Sequence, residues 1–474
     1  MKKKLPHNEL LGLCTVFIMG LQTLNAQNKT TLSQEEQRPI DCLSLAPDLK
    51  WENEFQKQIA EYKHSLSKGT TAASYLIPVI VHLVYNGNTE AAIGTGSNLK
   101  AAQITAQIDA LNDAFAGVTK GNSTLPAPFA AVDANDIPIR FCLALIDKNG
   151  ATMSEPGIER ISFQSKSWSD PVSLAGNATN VQNYFTNTIK PATIWDPTKY
   201  FNIWLGDFLP QNGGGLIGYA TFPSGTTNTG LSGFGSATTD GVVMASRCFG
   251  DKDKFAAGYY SRDAYAYGIT TVHEAGHWLG LRHISGDGTC GDDYCNDTPK
   301  QKGGNGGCAN GLNWNCPTYP FQANGCPTNA NPNGEMFQDY MDYSDDRCRS
   351  LFTADQKTRM MTTMANGTYR KLLGTHGLCT FIATGLSQVN NPNFVTIAPN
   401  PNAGNFNVSF DSNTKENYTL ELRNVLGQVI YQETLTNHIG VYSKQFDVTG
   451  FSKGMYMISL TDGKNEVVKK IIVY

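Results

Sequence analysis

His273-Glu274-Ala275-Gly276-His277-Trp278-Leu279-Gly280-Leu281-Arg282-His283 is the stretch from which the rest of this chain is read. In an α-helix, residues four apart lie on one face about one turn apart, so His273 and His277 can aim ring nitrogens at one point. Glu274 stands at the edge of that face, where a carboxylate can take a proton from a water held there. Gly280 can adopt a positive φ, so the helix can stop and the chain turn back, bringing His283 round as a third ligand. Three imidazoles with one position left open mark a catalytic rather than a structural zinc site. Of eight histidines in 474 residues, three fall in this window. At the chain's own residue frequencies, a chance match to all five fixed positions is on the order of 1 in 100,000. The competing reading, core histidines satisfied by hydrogen bonds, is weak against that.

Outward from this stretch, the chain is too long for one compact core, so two or more folded units are expected. A net charge of -4 gives no reason to expect nucleic acid as a partner. Lys2, Lys3 and Lys4 precede a short apolar run at residues 10–21 and then Thr23-Leu24-Asn25-Ala26-Gln27, the form of a secretory signal peptide over residues 1–26. Leu13 before Cys14 argues against a lipid anchor there, and no later segment is apolar enough to be a transmembrane span. Export gives meaning to the eleven cysteines. Cys290, Cys295, Cys308, Cys316, Cys326 and Cys348 crowd into one Gly-, Asn- and Pro-rich stretch, which reads as disulfide-stapled loops ahead of a zinc knuckle.

A polar stretch at 27–72, with one helix near 51–66, reads as a pro-segment. The β-branched run at 77–85 suits a buried strand. Ile104, Ile108, Leu111 and Phe115 make a helical stripe. Further strands are expected at 137–145, 200–205, 217–222 and 241–246, and a helix at 269–279. Thr353-Ala354-Asp355-Gln356 opens a last helix with a capping box. The region 73–380 therefore reads as an α/β (α+β) domain with a twisted mixed sheet, an active-site helix and a loop-rich, disulfide-stapled lower subdomain. Residues 381–393 form a linker. Alternating strands with turns between them make 394–474 a small all-β sandwich without chemistry of its own.

The motif spacing, with Asp339-Tyr340-Met341-Asp342-Tyr343 downstream, resembles the metzincins, and within them the pappalysin group. Asn296-Asp297-Thr298-Pro299, and Cys348 with Leu351-Phe352-Thr353, add to that resemblance over roughly residues 77–373. It implies a zinc endopeptidase acting on proteins or peptides. Met341 would floor the histidines without touching the metal, and Tyr343 would steady an oxyanion. The loop with Asp292, Asp293, Asp297 and Thr298 resembles calcium-binding loops, and oxygen-rich loops suit that cation. The resemblance also pairs Cys316 with Cys348 and Cys295 with Cys326. Members that cut before basic residues keep a carboxylate just past the Met-turn. Here Asp346 and Arg347 both stand there, the first welcoming basic side chains and the second acidic ones.

Cys42 is the one cysteine of the pro-segment. Its thiolate could fill the open zinc position and impose latency, against the alternatives of a disulfide partner or an idle thiol. Asp41 is a second candidate blocking ligand. Pro399-Asn400-Pro401-Asn402, Leu422-Arg423-Asn424-Val425-Leu426-Gly427, Gly454-Met455-Tyr456 and the Lys469-Lys470-Ile471-Ile472-Val473 ending resemble the type IX secretion sorting domain. That implies the secretion machinery as a partner and a secreted product. A non-catalytic surface-binding protein that keeps zinc as scaffold is the rival reading, and Glu274 speaks against it, because a structural site has no use for a base.

Overall fold

The structure is a computed structural model that describes residues 40–45, 47–69, 73–118, 125–210, 215–224, 234–260, 263–305, 316–322, 326, 333–379, 395–398, 400, 402–424, 428–463 and 466–473. The expected signal peptide with Cys14, Cys308, the expected linker, and Pro399, Pro401 and residues 425–427 lie outside the described residues. The chain divides into two compact units, Met1–Phe381 and Ile382–Tyr474. No described helix is long and apolar enough to cross a membrane.

In chain order the first unit contains β1 (Ile40–Cys42), α1 (Leu49–Ser67), β2 (Tyr75–Tyr85), α2 (Ala101–Phe115), β3 (Ile139–Leu143), β4 (Ile158–Ser162), β5 (Phe201–Gly206), β6 (Leu216–Ala220), β7 (Val242–Ala245), α3 (Ile269–Trp278) and α4 (Ala354–Asn366), with shorter helical turns between. The apolar run of β2 makes it the central strand. It pairs in parallel with β5 on one side and with β3 and then β4 on the other. Parallel strands covered on both faces carry continuous apolar runs, and residues 77–84 are buried without interruption. The sheet runs β1-β6-β7-β5-β2-β3, with β4 also on β2. Only β6 is antiparallel to its neighbour β7. β1 adds in parallel to β6, so the expected pro-segment supplies an edge strand of the sheet. The expected mixed-sheet α/β architecture is the one observed. β4 was not expected, because Ile158-Glu159-Arg160-Ile161-Ser162 has only two apolar residues to show a period.

The α2 stripe is buried as its spacing predicts, but the same helix also buries two amides. Gln103 Nε2 donates to Phe249 O at 2.7 Å, and Gln107 Nε2 donates to Gly268 O at 2.8 Å. The second bond holds the residue from which α3 starts, and Gly268 has a φ of 83°. The start of α3 is completed by Asp346, which is buried. Its Oδ2 accepts the Tyr267 and Ile269 amides at 3.0 and 3.2 Å, and its Oδ1 accepts Thr270 Oγ1 and Arg349 Nη2, both at 2.9 Å. A carboxylate at a helix N-terminus satisfies amides that have no partner within the helix.

The disulfides correct one expectation. Cys316 pairs with Cys348 as expected, but Cys326 pairs with Cys290, and Cys295 is a buried free thiol. The cause is backbone direction. Asp287, Cys290 and Tyr294 all take positive φ, so the loop doubles back twice. That brings the Cα of Cys290 to 5.7 Å from that of Cys326 and turns Cys295 inward. A third bridge, Cys142–Cys379, ties β3 to the end of the unit.

The second unit is all-β, with β8 (Thr396–Ala398), β9 (Asn405–Asn424), β10 (Val429–Asp447), β11 (Gly454–Thr461) and β12 (Glu466–Val473). β9 and β10 form a long antiparallel ribbon, partnered by β8 near its start and by β11 toward the end of β9. Phe406, Val408 and Phe410 from one half and Leu420 and Leu422 from the other share one core, so the two halves enclose it.

Asp346→Ala should lower the unfolding free energy of the first unit by about 3–5 kcal/mol, because it strands the buried Arg349 and the first amides of α3. Urea denaturation against the parent protein measures it; a change within ~0.5 kcal/mol would refute this role.

Candidate metal centre

Helix α3 is buried along its whole length, so its histidines meet in a dry site. His273 Nε2 lies 3.1 Å from His277 Nε2, which in turn lies 3.0 Å from His283 Nε2. Gly280, at a φ of 92°, ends the helix. The Leu281 amide donates back to Gly276 O at 3.0 Å and closes the turn that returns His283.

The other ring nitrogens decide the protonation. His273 Nδ1 lies 2.8 Å from Tyr340 O, and His277 Nδ1 lies 2.8 Å from Leu281 O. His283 Nδ1 is hydrogen-bonded to Asp287 Oδ1. A carbonyl or carboxylate oxygen can only accept, so each Nδ1 carries a hydrogen and each Nε2 is the atom left to face the centre. Burial pushes His277 down to about 3, with the nearby His283 adding to the shift. Burial, then His277 and His283, pushes His273 well below its ordinary value. The neutral His273 and His277 rings thus turn Nε2 lone pairs toward each other, and His277 Nε2 also faces His283 Nε2. A cation satisfies all three, so this donor set fits a divalent metal such as zinc.

Cys42 Sγ joins this set: it and one nitrogen from each histidine all lie within 4.8 Å of one another. Among the described residues this is the one group of three or more His, Cys, Asp or Glu side chains placed closely enough to hold a metal ion. Burial, then the charge of Glu274, raises the Cys42 thiol well above its usual range. It accepts the Ser44 amide at 3.2 Å and donates to Glu274 Oε2 at 3.4 Å. Ser44 was not singled out from the sequence. Its hydroxyl donates to the same Glu274 oxygen at 3.0 Å and accepts the Ala220 amide of β6 at 2.8 Å. The one available signal is the strand period of two, which puts residues 42 and 44 on one side.

Met341 is fully buried, and a Cβ on Gly276 would lie 2.4 Å from its sulfur, so the glycine between the two helix histidines is what lets this methionine pack beneath them. Tyr343 OH lies 2.8 Å from His283 Nε2. Asp346 gives both of its oxygens to the start of α3 and to Arg349. Arg347 lies over the Tyr267 ring at 4.0 Å and pairs with Asp253 at 2.6 Å. The four residues of the expected calcium loop are engaged separately. Asp292 pairs with Lys300 at 3.3 Å. Asp293 accepts Thr298 Oγ1 at 2.8 Å. Asp297 accepts Thr353 Oγ1 at 2.7 Å and the Asp355 amide at 2.8 Å, at the start of α4.

Residues 183–365 match the family described as Pregnancy-associated plasma protein-A, and residues 396–474 match the secretion system C-terminal sorting domain. Mature mirolysin of Tannerella forsythia, solved in complex with a cleaved peptide, is 32% identical. That match covers 65% of this chain and 100% of mirolysin, with a TM-score of 0.50. An extracellular metalloprotease of Colletotrichum graminicola is 40% identical over 155 residues, covering 32% of this chain and 46% of that protein. One of Pyricularia oryzae is 34% identical over 159 residues, covering 33% and 47%. The chain thus spans about half the length of the curated relatives it matches.

The depressed histidines set a pH dependence for the metal-free protein. An unfolded imidazole takes up a proton near pH 6.5, whereas folded His277 does so only near 3. Between those values the unfolded chain binds more protons, so this contribution destabilises the fold as pH falls. In chelated protein, His277→Gln should flatten the loss of urea midpoint between pH 6.5 and 4; parallel curves for the two proteins would contradict the assignment.

Proposed function

Because the chain belongs to the pappalysin family of metallopeptidases and carries a type IX secretion sorting domain, we propose that it is exported as a latent zinc endopeptidase whose substrates are proteins or peptides. The observation that carries this reading is the convergence of three histidine Nε2 atoms beside a buried glutamate. His273, His277 and His283 would hold the zinc, which when bound supplies Lewis acidity to lower the pKa of a water and polarise the scissile carbonyl. Glu274 accepts the proton of the attacking water and delivers it to the leaving amine. Tyr343, its hydroxyl already beside His283 Nε2, donates a hydrogen bond to the oxygen on which negative charge develops.

Latency belongs to the same reading. With the pro-segment in place, Cys42 occupies the fourth side of the histidine cluster and, with Ser44, holds the glutamate oxygen that would otherwise face water. Metal binding would ionise the thiol despite its raised pKa, as thiolate is the ligand form. Both contacts vanish when the segment is cut away. The family resemblance of the 292–298 loop is the ground for calcium in this reading, and added calcium should raise the melting temperature of chelated protein if the ion binds there.

Glu274→Gln should keep zinc bound, at one ion per chain by elemental analysis, while lowering kcat on casein by at least about 1,000-fold. Retained activity would end the general-base role, and chelator-insensitive activity would end the zinc reading. Cys42→Ala should shorten the lag before self-activation several-fold; an unchanged lag means that the thiol does not restrain the site.

A further inference from the structure

Ten residues beyond Cys42, the segment makes a second attachment. Glu52 on α1 is fully buried, and both of its oxygens are held by guanidinium groups. Arg359 Nη1 and Nη2 donate to Glu52 Oε1 and Oε2 at 2.6 and 3.1 Å, and Arg282 Nε donates to Oε2 at 3.1 Å. Gln56 Nε2, one turn along α1, adds a bond to Oε1 at 2.9 Å. Gln56 apart, the donors to this carboxylate lie outside the 40–67 segment. Arg282 immediately precedes His283, and Arg359 projects from α4. Arg359 is held in place without Glu52, because Nη2 and Nε also donate to Gly280 O at 3.1 and 3.4 Å. Arg282 lies over the Tyr294 ring at 5.1 Å and 3.9 Å from Asp287, a carboxylate already bound to His283. When the segment leaves, Arg359 keeps its bonds to Gly280 O, Arg282 gives up Pro47 O at 2.6 Å as well as Glu52, and both guanidiniums are left with donors for a carboxylate. A planar fork of donors is pre-organised for a carboxylate, and two of them suit it better than one.

We propose that Arg282 and Arg359 form a carboxylate-binding subsite beside the metal centre, filled by Glu52 in the latent chain and by an acidic side chain of the peptide substrate in the processed one. The proposal rests on the reading that the 40–67 segment is removed. The path of the segment argues for a substrate side chain as the occupant. β1 lies along the edge strand β6 at the metal centre, and from there the chain reaches the arginine pair within ten residues. A peptide that pairs with β6 and then bends as the chain does at Asp48, where α1 starts, carries a carboxylate to the same place.

The test uses the full chain after proteolytic loss of residues 40–67, verified by intact mass, with zinc loaded. The probe is a fluorescent peptide copying residues 47–62, which contains neither Cys42 nor Ser44. Its counterpart carrying Glu52→Gln should bind at least about 100-fold more weakly, as expected when one partner of a buried ion pair is lost. Acetyl-Ala-Glu-Ala-amide should displace the probe and acetyl-Ala-Gln-Ala-amide should not. Arg282→Gln and Arg359→Gln should each erase the Glu-to-Gln ratio, a readout that a general loss of fold does not imitate. Equal binding of the two probes, or a ratio that survives both variants, overturns the subsite. In paired substrates, scanning Glu against Gln on either side of the cut should show a KM at least tenfold lower for Glu at one position; a flat scan overturns the substrate role. Absence of peptidase activity after processing would count against the endopeptidase reading, while the binding measurements would still decide the subsite.

Discussion

Three imidazole Nε2 atoms turned toward one point are the constraint on which the rest of the first unit depends. Lone pairs held this close are satisfied by a cation, and a buried polar atom left unmatched costs about 1–3 kcal/mol. The fold holds it open from behind. The Tyr340 and Leu281 carbonyls and the Asp287 carboxylate each take an Nδ1 hydrogen, so no ring can turn without losing a bond. Asp346 and Gln107 anchor the start of α3, and Met341 fills the space against Gly276. Stability and chemistry meet in the same residues.

The 40–67 segment completes this arrangement as an inserted piece of it. One end joins the sheet as β1, and the middle covers the glutamate with a thiol and a hydroxyl. The helix that follows buries Trp51, Phe55 and Ile59 and lodges Glu52 between two arginines. A strand pairing alone gives affinity without position. A buried, doubly paired carboxylate sets the register, since displacing it by even one helical turn would leave charges unmatched.

Much of this was legible in the residues. The β2 run, the α2 stripe and the capping box at Thr353 depend on local period and local hydrogen bonds, and each forms close to the expected place. The three histidines were legible because helical spacing and one glycine turn bring them together within eleven residues. Other features escaped because their partners are distant in sequence. Ser44 meets Glu274 across 230 positions, and Glu52 meets Arg359 across 307. The Cys290–Cys326 bridge escaped for another reason, since it depends on positive-φ turns at residues with side chains, which composition does not announce.

Periodicity and spacing therefore sufficed for most of the elements and for bringing His273, His277 and His283 together beside Glu274, because those follow from repeat distances along one stretch of backbone. Only the folded chain decided which carboxylate caps the active-site helix, which nitrogen of each ring carries hydrogen and what lies over the glutamate. Each of those is set by which groups the packed core leaves within about 3 Å of one another, a distance that sequence order does not encode.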